Sequence, residues 1–417
     1  MSSQFSPTPS NNLVVLLVLT LEKHREGVWI TRLVEELHSL TESKVSDGRE
    51  IQVQVQDVER ILHCQPPPSE GNFGALFIKN DVGTDPVLCQ YDGIINRVSD
   101  AADPTLVKRT LALLQTAVLL GIPVFNGPTS YSLAVNKWCH HVLFRKAGLA
   151  TPPTVVWTPM AHPKEGLLTF EDATKLVRHP SRDLQSLSAE AVPGIRTTPA
   201  AESYLIKPNA GGFGAGIVKL DGDTQNYNDR STVPPAPAGE DPTRLVQAYL
   251  APQDGCIYRV WFLCGRIQCA ASRKVGQDEE NGAVESMESE FTTGCVGITA
   301  TCIRPSTVYN AKSDTRLPLV HVSPLPHFKP WEVPLEIQDE IQTLLRFVPD
   351  AHAGSVEFLI FNDLRYYFDF NMLSTLPTVA SDETNDDSGN ANTKGWPRGF
   401  NPWKELAKAV QDVILCR

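Results

Sequence analysis

The hydrophobic rhythm of this chain changes at Ser203, and that change constrains the fold more than any other feature. Before it, short apolar segments alternate with helical patterns. Asn12–Thr20, Ile51–Val55, Gly74–Ile78, Tyr91–Arg97 and Ile122–Phe125 read as strands. Ile30, Leu33, Val34, Leu37 and Leu40 recur at helical spacing and predict a helix over Trp29–Leu40, and Thr105–Leu120 reads as a long apolar helix stopped by Gly121. Such alternation predicts a small parallel α/β domain of about 125 residues. After Ser203 the pattern is almost all strand: Tyr204–Lys207, Ile217–Leu220, Arg244–Tyr249, Ile257–Leu263, Arg266–Ser272, Ser355–Phe361 and Leu364–Phe370. Tight turns join several of them, which predicts an antiparallel sheet. Between the two regions, Ser130–Gly148 reads as one helix with a glycine stop, Thr151–Trp157 as extended and Phe170–Val177 as a helix. Pro334–Phe347 and Pro402–Leu415 are further helices. Asp221–Pro242, Val275–Pro330 and the acidic Thr378–Gly395 read as loops.

Composition narrows the function classes. There are 37 Lys+Arg against 48 Asp+Glu in 417 residues, a net charge of −11 with no long basic run, which argues against a protein built to grip nucleic acid. Leu13–Leu19 is far short of the roughly 20 apolar residues a membrane span needs. The first dozen residues lack the basic flank of a secretory signal, and the nine cysteines fall into no zinc-like spacing. The expectation is a cytoplasmic chain with reduced thiols and no membrane or nucleic-acid partner.

Four stretches carry chemistry. In Tyr204-Leu205-Ile206-Lys207-Pro208-Asn209-Ala210-Gly211-Gly212-Phe213-Gly214-Ala215-Gly216, a lysine ends an apolar strand and a glycine-rich loop follows. Glycines let backbone N–H groups approach phosphate oxygens, and the lysine adds a point charge. A strand follows and there is no GK[ST], so this is not a P-loop. Near the C-terminus, Glu357 stands on one strand, and Asp369 and Asn371, two apart, share a face of the next. If Asn362–Leu364 is a hairpin turn, the three converge as hard oxygen ligands for Mg²⁺. Arg259 lies within a strand and Arg273 ends another, each able to hold phosphoryl charge or to snorkel at the surface. Asn136-Lys137-Trp138 opens a helix; a lone lysine there is commonly just solvated.

Taken in order, Asn126, Lys137, Gly148, Pro152-Pro153-Thr154, Ile206-Lys207-Pro208 with its glycine loop, Val246-Gln247-Ala248-Tyr249, Arg259, Arg273, Glu357 and Asp369-Phe370-Asn371 resemble the ATP-grasp superfamily, best its RimK-like carboxylate–amine ligases. The resemblance spans roughly Tyr91–Pro377. It implies an ATP-grasp fold of mixed α/β and α+β class: an N-terminal parallel α/β preATP-grasp domain over 1–128, a central subdomain over 129–243 and a C-terminal antiparallel subdomain over 244–417. It implies that Lys137, Lys207 and the loop with Gly211, Gly212 and Gly214 contact ATP phosphates. Gln247, Ala248, Tyr249 and Leu250 would form the adenine hinge. Glu357, Asp369 and Asn371 would hold one or two Mg²⁺ ions, with Mn²⁺ as a substitute. Arg259 and Arg273 would stabilise the transferring phosphoryl group. The implied reaction joins a small-molecule carboxylate to an amine through an acyl-phosphate, and the implied assembly is a homo-oligomer.

This sequence departs from that pattern at Ala248, where an acid often stands, and at Ile257, the position expected to hold the ribose; Asp254 is the substitute it offers. Glu357 and Asp369 exchange the usual Asp and Glu but keep a carboxylate at each place. Two other readings share the fold. One is a polyol-phosphate kinase, for which Arg273-Lys274 is the nearby cationic pair. The other is a nucleotide-binding protein without turnover, motivated by Ala248 and Ile257.

Overall fold

The computed structural model describes residues 13–42, 50–63, 77–80, 83–99, 103–158, 169–178, 203–210, 217–221, 241–275, 328–372, 374 and 401–415. Its elements in chain order are β1 (Leu13–Thr20), α1 (Val28–Glu42), β2 (Glu50–Asp57), α2 (Val58–His63), β3 (Phe77–Asn80), β4 (Gly83–Pro86), β5 (Gly93–Asn96), α3 (Pro104–Leu119), β6 (Val124–Phe125), α4 (Pro128–Ala134), α5 (Lys137–Lys146), β7 (Thr154–Trp157) and α6 (Phe170–Arg178). Then follow β8 (Ser203–Pro208), β9 (Val218–Asp221), β10 (Arg244–Ala248), β11 (Cys256–Leu263), β12 (Arg266–Lys274), β13 (Phe328–Pro330), α7 (Leu335–Leu345), β14 (Ala353–Phe361), β15 (Leu364–Asn371) and α8 (Pro402–Leu415).

The strands before β7 form a parallel sheet ordered β2-β1-β5-β6 and a separate hairpin of β3 and β4. The alternate side chains of β1 go to opposite covers. Val14, Leu16 and Val18 pack with Ile30, Leu33 and Leu37 of α1 and with Leu406 and Val410 of α8. Leu17 and Leu19 pack with Val58 of α2 and with Leu106, Leu113 and Leu114 of α3. Burial on both faces is why the strand reads as a continuous apolar run. Among the described residues no helix is long and apolar enough to cross a membrane.

Two expectations need correction. The strands after Ser203 form two antiparallel sheets rather than one: β7-β10-β8-β9 and β13-β12-β11-β14-β15. And Ser130–Gly148 is two helices, not one. Val135 closes α4, and Asn136 leaves the helix (φ −139°, ψ 99°) to cap α5, its side chain accepting from the Cys139 N–H at 3.1 Å. Asparagine is a preferred N-cap because its oxygen takes an orphan first-turn N–H. Of the stretches read as loops, Val275–Pro330 contributes β13 at its end; residues 222–240, 276–327 and 378–395 lie outside the described residues.

The five-stranded sheet is apolar on one face, and its other face is mixed: Trp261, Leu263, Ala271 and Ala353 pack with Trp403 and Leu406 of α8, while Arg259, Glu357 and Asp369 carry charge. Val260, Phe262, Val356, Phe358 and Phe370 pack beneath Ile337, Ile341 and Leu344 of α7. The turns that set its register are compact. Asn362 and Asp363 have φ of 50° and 61°, and Cys264 and Gly265 have φ of 45° and 75°. Two consecutive positive φ values are what a two-residue I′ hairpin requires.

The parallel sheet is stitched to the C-terminal sheet at Asn126. With φ of 58° and 4% exposure, it donates through Nδ2 to the Ala353 and Met372 carbonyls at 3.0 and 2.9 Å. Its Oδ1 accepts from the N–H groups of His352 and Ala353 at 3.0 and 2.9 Å. The next residue, Gly127, begins α4 without a capping side chain; the Asp350 carboxylate instead accepts from the N–H groups of Thr129 and Ser130 at 2.8 and 3.0 Å. A Cβ on Gly127 would lie 2.6 Å from Asp350 Oδ2, so the cap requires glycine there.

Candidate active site

A narrow cleft opens between the four-stranded sheet, the edge strand β15 and the start of α5. Lys137, His141, Lys207, Gln247 and Phe368 line it. Lys207 on β8 stands opposite Leu245 on β10, so both point to the cleft face with Gln247, two residues further on. The other face carries Tyr204, Val246 and Ala248, which pack with Ala173 and Val177 of α6. Lys207 is buried, its Nζ 5.5 Å from the Phe368 ring centroid. Gln247 is held by a bond from Nε2 to Thr154 Oγ1 at 2.9 Å.

A β-bulge aims Phe368 at this cleft. Glu357 pairs with Asp369 but Phe358 pairs with Tyr367, leaving Phe368 without a partner in β14. The same shift lets Tyr367 and Phe370, three apart, both reach the α7 core.

Lys137 is the first residue of α5, and Asn209 sets its place. The Asn209 carbonyl accepts from the Lys137 N–H at 2.8 Å and its Oδ1 from the Trp138 N–H at 3.0 Å. Asn209 follows Lys207-Pro208 directly, so one residue ties the strand carrying one lysine to the helix carrying the other. Its role was hidden because its partners lie some seventy positions away.

Next to the cleft, four side chains form a row across β12, β11, β14 and β15: Ala271, Arg259, Glu357 and Asp369. Arg259 and Glu357 form an ion pair, with side chains 5% and 0% exposed. Asn371, opposite Ser355, and Arg273, opposite Ile257, lie two residues along on the same face. Asp369 has its Oδ1 3.3 Å from His140 Nδ1, while His140 Nε2 donates to the Leu133 carbonyl at 2.8 Å. Burial alone would raise the Asp369 pKa. The His140 hydrogen bond and charge, followed by the charges of Lys137 and Arg259, outweigh it and bring the carboxyl down to about 2.

His141 is the opposite case. Burial first, then the Arg145 charge, lowers its pKa to about 4, so the ring is neutral near pH 7, stacked on Trp138 and bonded through Nδ1 to Thr151 Oγ1 at 2.7 Å. Neither histidine is among the residues singled out from sequence. The available signal was spacing, since positions three and four beyond Lys137 share its helix face.

The structure thus gathers Lys137, Lys207 and Gln247 in one cleft, and Arg259, Arg273, Glu357, Asp369 and Asn371 on one sheet face. It does not bring Asp254 to them: that carboxylate accepts from the Cys256 N–H at 2.9 Å and from the Tyr258 hydroxyl. Of the hinge, the Ala248 N–H is bound to the Pro153 carbonyl at 2.8 Å and the Tyr249 N–H to the Ser203 carbonyl at 2.9 Å, and Leu250 is buried against α6. Gly211, Gly212 and Gly214 lie outside the described residues.

No protein-family model and no curated protein matches the sequence. Solved structures do match in three dimensions. The D-alanine–D-alanine ligase from Bacillus anthracis superposes with a TM-score of 0.51 at 13% identity, covering 97% of this chain and 98% of that one. The ATP-grasp ligase PsnB, solved with its minimal precursor, gives 0.50 at 12% identity, covering 95% and 97%. The chain has the ATP-grasp fold. In this ATP-grasp chain the cleft lies between the two antiparallel sheets, and the row Arg259–Glu357–Asp369 borders it.

Proposed function

We propose that this chain is an ATP- and Mg²⁺-dependent ligase that activates a carboxylate as an acyl-phosphate and joins it to an amine of an amino-acid or peptide-like substrate. The observation that carries this reading is the meeting of two lysines and a glutamine in one cleft beside a row of one arginine and two carboxylates. The ligase names of the superposed structures support it, and the order of motifs favours the RimK-like branch.

The donor set fits a hard divalent cation. Glu357 and Asp369 are cross-strand neighbours, Asn371 adds an amide oxygen on the same face, and Asp369 is held ionised. Held by Glu357, Asp369 and Asn371, Mg²⁺ would neutralise charge on the phosphates. The chain's own residues do the rest. Lys207 and Lys137 meet the phosphates from the β8 and α5 sides of the cleft, with Asn209 fixing their relative position. The Gln247–Leu250 segment lies along the base. Arg259 and Arg273 face the charge that develops as the phosphoryl group moves. A carboxylate is a poor acyl donor because its leaving group is oxide. Transfer of the γ-phosphoryl group replaces oxide by phosphate, which departs when the amine attacks, so the protein's task is positioning and charge stabilisation.

The test is ADP and phosphate release against a pool of carboxylates and amines. Release that needs both substrates supports a ligase; release that needs a polyol phosphate and ignores amines supports a kinase; ATP binding with no release under any substrate supports a binding protein. Lys207→Ala and Asp369→Ala are each expected to abolish turnover with the fold intact, checked by circular dichroism beside the assay. Near-normal activity in either variant contradicts the site assignment.

A further inference from the structure

Asp369 and Asn371 stand on β15, the outermost strand of its sheet, which pairs only with β14. The bulge beside Asp369 interrupts that pairing as well. Of the two carboxylates in the charged row, Glu357 is fully buried against Arg259, while the Asp369 side chain is 21% exposed. Asp369 is thus the carboxylate open to a cation, and it stands where the sheet restrains it least. A ligating carboxylate has to be held by partners of its own.

The missing restraint comes from α5. The Tyr367 N–H donates to the Ala150 carbonyl at 2.9 Å, and the Phe370 N–H donates to His140 Nδ1 at 3.4 Å. The same nitrogen is 3.3 Å from Asp369 Oδ1. The ring is itself pinned. It is 2% exposed, its Nε2 donates to the Leu133 carbonyl in α4 at 2.8 Å, and it stands edge-on to Phe370 with ring centroids 6.3 Å apart. A carbonyl only accepts, so Nε2 carries a hydrogen and Nδ1 offers either a lone pair or a proton. As an acceptor, Nδ1 holds the Phe370 N–H; as a donor, it holds the Asp369 carboxylate. In both forms one nitrogen restrains residues 369 and 370, so the restraint does not depend on the charge of the ring.

Lys137 opens the same helix three residues earlier, on the same face, and Asn209 ties it to the end of β8. One turn of α5 therefore carries both a lysine of the cleft and the nitrogen that sets Asp369.

We propose that His140 is a positioning residue that holds Asp369 in the orientation a divalent cation needs and fixes its place relative to Lys137. The role of the cation rests on the ligase reading, so the test reads metal binding rather than turnover. Asparagine and glutamine divide the two ring nitrogens between them: an Asn amide places a polar atom where Nδ1 stands, and a Gln amide places one where Nε2 stands. Mn²⁺ binding in the presence of ADP is followed by water-proton relaxation in wild type, His140→Asn and His140→Gln, with Mn²⁺ and ADP alone as the blank.

His140→Gln is expected to weaken Mn²⁺ binding about tenfold, and His140→Asn to keep it within about threefold of wild type. Both should lower the melting temperature, since each loses a hydrogen bond and the ring packing on Phe370. A histidine that is only structural would show that loss of stability with metal binding unchanged. Binding by His140→Gln within about threefold of wild type, or equal weakening in the two variants, overturns the proposal. Should either variant not fold, His140→Phe takes its place, keeping the ring on Phe370 without either nitrogen; a loss of about tenfold supports the proposal and undiminished binding overturns it. A wild-type chain that binds no Mn²⁺ with ADP overturns the proposal and the ligase reading together. A chain that shows the expected split but releases no ADP with any substrate keeps the role of His140 and loses the ligase reading.

Discussion

The parallel sheet and the five-stranded antiparallel sheet carry their polar residues in different places. In the parallel sheet the strands β1, β5 and β6 are apolar on both faces while the edge strand β2 alternates with glutamine, and the buried polar residues stand where strands end: Thr20, Asp57, Asn96 and, just past β6, Asn126. Helices cover both faces, so only the ends are left for chemistry. In the antiparallel sheet one face is given to α7, and the other, covered by α8 at the Trp261–Leu263 end, carries charge in mid-strand at Arg259, Glu357 and Asp369. Polar residues at strand ends can bond backbone groups of a neighbouring unit; polar residues in mid-strand must find partners on the next strand. The first arrangement joins domains, the second builds a site.

That contrast can be broken from either side. Glu357→Ala has the largest expected effect on stability. It strands the buried Arg259 charge and should lower the unfolding free energy by about 3–5 kcal/mol in urea denaturation. Replacing both Arg259 and Glu357 with apolar residues should recover much of that loss while leaving no turnover. At the parallel end, Asn126→Ala leaves two carbonyls and two N–H groups without their partner and puts alanine, which tolerates positive φ less well than asparagine, at φ 58°. A loss of about 3 kcal/mol is expected by the same measurement.

The pH response sharpens the comparison next. The His141 pKa is lowered from 6.5 to about 4 in the folded chain, so the unfolded state binds the proton first as pH falls. Its contribution to stability is full above pH 6.5 and is lost progressively down to about 4. His141→Asn should flatten the stability profile across that window, read from melting temperatures in matched buffers. The smallest effect is expected for Asp350→Ala, which removes the distant cap of α4 and should cost about 1 kcal/mol.

Much of this arrangement was legible in the sequence where a local rule determined it. Asn362–Leu364 between two strand patterns specifies a tight hairpin, although the two-residue turn alone would set Glu357 opposite Phe368 and it is the bulge that shifts Asp369 there. The apolar run of β1 marks a strand covered twice. The lysine before a glycine loop placed Lys207 at a strand end, where the structure has it. Local signals were also passed over: Asn136 is a good N-cap within a stretch that reads as one helix, and His140 and His141 share a face with Lys137.

The rest was decided by residues far apart in the chain. Asp254 is spent on its own turn and on Tyr258, a hydroxyl from the core side of β11. The strands after Ser203 divide into two sheets because pairing is chosen among many strands with the same pattern, which alternation does not specify. The bulge at Phe368 depends on what β14 offers opposite it. By itself the sequence determined the elements, the turns and the residue types available for phosphate and metal chemistry, since these follow from periodicity and backbone preference over a few residues. Only the tertiary structure decided that Arg259 is locked to Glu357 and that Asn209 joins the two lysines. Hydrogen bonds and ion pairs depend on distance in space, and separation along the chain does not reveal that distance.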